Sequence, residues 1–176
     1  MTATTIGIVH ATNSCMIRRV IYPDSDDQLA KQNWAGPGES LLIVDAKTIA
    51  TNDDLAAAVQ LATGQKPMDF NVAVVDEKGT VVSLIKADPT LDTIPGATLI
   101  AAPEGVAAGA SYDEKTASFT IPETLIPATV DKTTGLPIAE KIIPAQILPA
   151  IDAVAEIQAA QETAALKSAP ISPIVK

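Results

Sequence analysis

Proline fixes its own φ and carries no backbone N–H, so it is kept out of helix interiors and out of the middle of a sheet. Seven of the 13 prolines in this 176-residue chain lie from Pro122 onward. The stretch IPETLIPATVDKTTGLPIAEKIIPAQILPA places them at 122, 127, 137, 144 and 149. Each biases its predecessor toward extended backbone. The same stretch is rich in Ile and Leu, which a solvated linker would not be. An extended, apolar, proline-punctuated strap must lie on something, either its own domain or a neighbouring subunit. The chain therefore divides into a globular front and an extended rear, with a turn at Asp131 to Gly135 inside the strap.

The front reads as β-structure. Val72 to Val75, the turn Asp76-Glu77-Lys78-Gly79, and Thr80 to Ile85 form a predicted hairpin, with Gly79 in the left-handed position. Asp88-Pro89 stops the second strand, and Leu91 and Ile94 anchor the corner that follows. Pro95-Gly96 turns the chain into a third strand, Ala97 to Ala102. A second copy of this order starts at Ile6. Ile6–Val9 matches Val72–Val75, and Met16–Ile21 matches Val81–Lys86. Pro37-Gly38 with Leu41–Val44 echoes Pro95-Gly96 with Thr98–Ala101. The shared order points to a duplicated β-unit, with a longer polar corner from Ser25 to Gly36 in the first copy.

Two helices are predicted. Asn52-Asp53-Asp54 opens one, capped by Thr51 or Asn52, with Leu55, Val59 and Ala62 as its apolar stripe and Gly64 at its end. The other runs from Ala150 to Lys167, free of Gly and Pro. Ile151, Val154, Ala155, Gln158 and Ala165 sketch a narrow seam flanked by Ile157, as in coiled-coil packing. The expected fold class is mainly β with helices (α+β). Its parts are a first β-unit (1–50), a bridging helix (51–65), a second β-unit (66–121), the strap (122–149), and a C-terminal helix and tail (150–176).

Aromatic residues make up only 3%, so the core is built from Ile, Val, Leu and Ala, and stacking platforms for bases or sugars are disfavoured. A net charge of −9 repels phosphate backbones, which argues against nucleic acid. No apolar run is long enough to cross a bilayer as a helix, and the N-terminus shows no signal-peptide pattern. No membrane partner is expected. A single cysteine, Cys15, excludes an intrachain disulfide.

Chemistry is sparse. His10 and Cys15 flank one predicted turn, but nothing orients them as a nucleophile and base. Asp24, Asp26 and Asp27 share a loop without the spacing or the distant Glu of a calcium loop. Strand alternation puts Arg18 and Arg19 on opposite faces, one exposed and one paired with a carboxylate. Dinucleotide, P-loop, nucleophile-elbow and zinc motifs are absent from the sequence. No catalytic, cofactor-binding or metal-ligating residues are assigned, and no cofactor is expected.

The order VVD…GT-VV-S-LI-KADP followed by PGATLIAAPEGVAAGASYDEKTASFTIP resembles β-segments of tailed-phage tail and tail-fibre proteins. Gly109, Tyr112, Asp113, Phe119 and Pro122 occupy the matching places, while Ala110 stands where the usual pattern has an aromatic residue. The resemblance covers the segment from Val72 to Pro122 and implies a non-enzymatic virion structural protein, assembled in the host cytoplasm. Its partners would be itself, as a homo-oligomer with trimers among the options, and other virion proteins. A head-decorating protein and a monomeric receptor- or ligand-binding module are the alternatives. The residues expected at contacts are Trp34, Leu125, Ile126, Ile138, Ile142, Ile143, Ile147, Leu148, Ile151, Val154, Ile171 and Ile174.

Overall fold

The computed structural model describes residues 3–130, 133, 134 and 136–168, with the backbone alone at Leu125, Ile126 and Ser168. Ile171 and Ile174 lie outside the described residues, as do parts of the turn expected at Asp131 to Gly135. The fold is α+β and forms two compact units. One comprises residues 3–69 with 152–168, the other residues 70–151.

The first unit holds β1 (Thr5–Ala11), β2 (Ile17–Ile21), α1 (Asp26–Lys31), β3 (Glu39–Asp45), α2 (Asn52–Thr63) and, from the far end of the chain, α3 (Ala153–Ser168). Its antiparallel sheet has the order β2-β1-β3. The central strand β1 is buried on both faces. Ile6 and Ile8 pack with Cys15 and with Leu55 and Val59 of α2. On the other face a Cβ at Gly7 would stand 2.9 Å from both Leu29 of α1 and Leu41 of β3. The missing side chain is what lets α1 sit that close. Asp26 ties α1 down by accepting four hydrogen bonds, from the backbone and hydroxyl of Thr4 (3.0 and 2.8 Å) and of Thr5 (2.9 and 2.6 Å).

Thr51 and Asp54 form a reciprocal capping box at the start of α2, and Gly64 ends it at φ +76°. Leu55 and Val59 are buried as the spacing predicts, whereas Ala62 is exposed. Helix α3 starts at Ala153, later than the expected Ala150. Ala150 N–H is engaged by Ala117 O (2.8 Å) and Ile151 N–H by Ala101 O (3.0 Å), which holds both residues extended. Asp152 then caps the helix by accepting from Ala155 N–H (3.0 Å). Its inner face is Ala153, Ile157, Ala160 and Ala164, not the expected seam; Val154 is 55% exposed. The buried face carries Ile157, 5% exposed, and lies one position from the expected seam.

The second unit holds β4 (Asn71–Val75), β5 (Val81–Lys86), β6 (Thr98–Ala101), β7 (Ser111–Asp113) and β8 (Ser118–Ile121). Five short strands follow: β9 (Thr124–Ile126), β10 (Thr129–Val130), β11 (Pro137–Ile138), β12 (Lys141–Ile143) and β13 (Gln146–Pro149). The main sheet has the order β5-β4-β6. Ala73, Val75 and Val81 pack with Ala102, Val106, Ala110 and Phe119. Tyr112 tilts against Phe119 with ring centroids 5.0 Å apart, a contact worth about 1 kcal/mol beyond burial.

The two sheets share more than their strand order. In both, the first strand is central and the second carries a bulge. Val9 pairs with Arg19 and His10 with Ile17, leaving Arg18 as the extra residue. Val74 pairs with Ser83 and Val75 with Val81, leaving Val82 extra. Val9 therefore corresponds to Val74, and Leu41 to Leu99, each one residue away from the match read in the sequence. A one-residue slip in a strand exchanges its faces. With the observed match, the buried faces of Ile8 and Ala73 coincide. Gly38 and Gly96, which open the third strand of each sheet, both have positive φ (73° and 74°).

Gly79 and Gly96 separate two costs. Both have positive φ, but a Cβ at Gly79 would meet Tyr112 O at 2.9 Å, while Gly96 has nothing within 4 Å. Gly96→Ala should cost about 1 kcal/mol, the ordinary left-handed penalty. Gly79→Ala should cost clearly more in urea denaturation, because a backbone carbonyl must move.

Candidate protein interface

The proline-rich segment is extended, as its composition predicts, but it is paired with itself. β8 pairs with β13, β9 with β12 and β10 with β11, all antiparallel. One register runs through all three pairings: Ser118 opposite Pro149, Ile121 opposite Gln146, Thr124 opposite Ile143, Ile126 opposite Lys141, Thr129 opposite Ile138. No residue is gained or lost along the way. The segment is a single two-stranded β-arm whose base is built into the sheet β13-β8-β7.

The prolines obey the ladder's alternation. Successive residues of an antiparallel strand turn their N–H groups toward the partner and away from it in turn. Pro137 and Pro149 lie within paired strands, so their nitrogens occupy outward positions. Counted along the constant register, Pro122 is also outward, while Pro127 and Pro144 fall inward, where a ladder hydrogen is missing. The pairing is interrupted at those two places, after Ile126 and after Ile143. Between the outward prolines 137 and 149, the N–H groups of Ala139, Lys141, Ile143, Ala145 and Ile147 point away from the ribbon. No described strand pairs on that side.

The residues expected at contacts separate into two groups. Leu148 packs on the second unit's core, and Ile143 and Ile151 are half-buried. Trp34 is half-buried in the first unit, where its Nε1–H donates to Gln28 O (3.2 Å) and its own carbonyl accepts from Arg19. Ile138, Ile142 and Ile147 are exposed at 51%, 56% and 72%. Val130 and Leu136 are exposed on the same arm and were not singled out in the sequence. Leu125 pairs with Ile142 through its backbone.

The other candidates are held by local structure. His10 and Cys15 are buried; His10 Nδ1–H donates to Ala11 O (3.0 Å), and Cys15 N–H donates to the same carbonyl (3.0 Å). The loop acids have separate partners: Asp24 with Gln28 (3.3 Å), Asp26 with Thr4 and Thr5, Asp27 with Lys31 (2.9 Å). Among the described residues, no group of three or more His, Cys, Asp or Glu is placed to hold a metal ion. Arg18 and Arg19 do not separate to opposite faces. Both reach Glu39, Arg18 Nε at 3.6 Å and Arg19 at 2.9 Å. The bulge at Arg18 breaks the alternation that predicted otherwise. Gly36 N–H, then the charge of Arg19, holds the Glu39 carboxyl below its usual range.

A polar depression of about 450 Å³ lies beside the β4–β5 turn, bounded by Asp76, Thr98, Ile100, Tyr112 and Glu114. Asp76 is occupied in its own turn, accepting from Lys78 N–H (2.9 Å) and Thr80 N–H (2.8 Å). Burial, then the charges of Glu114 and Asp113, pushes the Tyr112 phenol up, so it stays protonated. Among the described residues, no buried side-chain nitrogen or oxygen lacks a hydrogen-bond partner. Among the described residues, Val130, Leu136, Ile138, Ile142 and Ile147 are all left exposed on the arm.

Because Ile142 is on the arm, Ile142→Ser should shift stability by less than about 0.5 kcal/mol, whereas Phe119→Ala should cost about 3–5 kcal/mol. Urea titration distinguishes them. The hydrogen bonds from Thr5 and Thr4 lower the Asp26 pKa from 3.8 to about 2. A lowered folded-state pKa contributes stability above pH 3.8 that is lost as pH falls through 2. Asp26→Ala should therefore lower Tm at pH 7, and the gap from the wild-type chain should narrow as the pH falls from 4 toward 2. No known protein family, characterised protein or solved structure matches the chain.

Proposed function

We propose that the chain is a non-catalytic structural subunit of a phage particle, tail or tail-fibre associated, that joins copies of itself and other particle proteins through its β-arm. The observation that carries this reading is the arm: a two-stranded ribbon rooted in a buried core and lined by exposed Ile138, Ile142 and Ile147. Apolar side chains on a ribbon outside the core are stabilised by a second surface. The open N–H row from Ala139 to Ile147 offers strand addition as a second mode of attachment. The phage assignment itself draws on the resemblance of the segment from Val72 to Pro122 to tail and fibre β-segments.

The full chain should form a discrete oligomer in light scattering, and Ile138→Asp with Ile142→Asp should return it to monomer without changing its far-UV circular dichroism. Mass spectrometry of purified particles should find the chain in stoichiometric amount. A chain that stays monomeric at high concentration and is recovered only from the soluble lysate would end this reading.

A further inference from the structure

Pro137 and Pro149 bound the free edge of the arm's second strand, and Ile143 lies midway between them. Along that edge the outward N–H groups belong to Ala139, Lys141, Ile143, Ala145 and Ile147, and the carbonyls of the same residues point the same way. A two-fold rotation about Ile143 leaves this row unchanged. We propose that two copies of the chain pair along this edge, antiparallel and centred on Ile143, so that their ribbons join into a single sheet across the axis. The inference deepens the contact between copies proposed for the arm and rests on that reading.

The prolines choose the register. With the axis at Ile143, Ala139 of one copy faces Ile147 of the other, Lys141 faces Ala145, and Ile143 faces Ile143. Every residue that can donate then meets another that can donate, and each rung closes with both of its bonds. Pro137 and Pro149 meet each other just past the ends, where no hydrogen is needed. A shift of two residues either way sets a proline against a donating residue. That rung keeps one bond, and a carbonyl faces a ring that cannot donate. A shift of one residue sets outward-turned residues opposite inward-turned ones and forms no ladder.

The same register suits the side chains. Opposite residues of an antiparallel sheet are neighbours on one face. Ile143 meets its own counterpart, and Ile147, 72% exposed in the single chain, meets Ala139. From Pro137 to Pro149 the charged residues are Glu140 and Lys141, so the edge is neutral on a chain of net charge −9. Lys141 lies opposite Ala145 and Glu140 opposite Gln146, and no like charges are set against each other. A second copy thus matches the edge in length, in donor pattern and in charge.

Cysteine cross-linking of the full-length chain tests it. Facing residues of a hydrogen-bonded antiparallel pair stand about 5.5 Å apart at Cα, within disulfide reach. With copper phenanthroline in air, Ile143→Cys should form a covalent dimer. Ala139→Cys and Ile147→Cys should each fail to cross-link alone, because each lies about 27 Å from its own counterpart. Mixed before oxidation, the two should form a heterodimer. Both positions are exposed, so the mixture decides the matter if Ile143→Cys does not fold. Cys15 is buried, and the wild-type chain controls for it. Lys141→Pro should weaken the dimer at least about tenfold relative to Lys141→Ala in sedimentation equilibrium. An outward proline costs the arm's own ladder nothing and removes a bond on each side of the axis. An oligomer in which folded Ile143→Cys or the mixture stays uncross-linked, or which is indifferent to Lys141→Pro, overturns this pairing and leaves the arm contact standing. Cross-linking of Ala139→Cys with itself also overturns it, because the strands would then run parallel. A wild-type chain that is monomeric ends both the pairing and the reading it rests on.

Discussion

A proline nitrogen has no hydrogen to give, and where that deficit falls decides the shape of the second unit's rear half. Placed outward, as at Pro137 and Pro149, it costs the ladder nothing and only trims the free edge. Placed inward, as at Pro127 and Pro144, it removes a rung, and the ribbon is interrupted. The constant register across both gaps means that the interruptions do not shift the strands relative to each other. An isolated two-stranded ribbon is marginal in water. This one is anchored at its base, where Phe119 faces Leu148 across the ladder and β7 adds a third strand. Burial of Phe119 supports a feature that is itself mostly exposed.

The two sheets show how one frame takes two attachments. Each has a central first strand, a bulged second strand and a third strand opened by a positive-φ glycine. In the first unit, the third strand leads into α2, which covers Ile6 and Ile8. In the second, it leads into β7 and β8, and Phe119 fills the equivalent place over Ala73 and Val75. The bulge is used differently as well. At Arg18 it gathers two guanidinium groups around Glu39, and at Val82 it leaves an apolar side chain exposed.

What was legible in the sequence was local. Strand, turn and Pro-Gly signals depend on neighbouring residues, so the hairpins and the capped start of α2 could be read directly. The bulges could not, because an extra residue in one strand is defined only against its partner; hence the one-residue error in the internal match and the wrong faces for Arg18 and Arg19. Helix α1 was hidden by its six residues and single buried Leu29. The strap's apolar character was plain, but its pairing links residues far apart along the chain. Proline parity was the available signal: the observed register puts Pro122, Pro137 and Pro149 all outward. On α3 the expected seam was one position out of phase: the inner face follows Ala153, Ile157, Ala160 and Ala164 rather than Val154, Gln158 and Ala165.

Magnitudes bear on what the arm would meet under the particle reading. Val130, Leu136, Ile138, Ile142 and Ile147 are already partly covered, so finishing their burial yields roughly 1 kcal/mol each, about 5 in all. Association costs about 4–15 kcal/mol in lost freedom. One arm on an indifferent surface therefore gains too little, while two arms that bury each other gain twice. Charge points the same way. From Pro122 to Pro149 the arm carries Glu123, Asp131 and Glu140 against Lys132 and Lys141, one net negative charge of the chain's nine. Two copies meeting arm to arm would bring only one net negative charge each to the contact itself. Under the particle reading, a nearly neutral, apolar ribbon on an acidic chain adds little like charge to a contact between two arms.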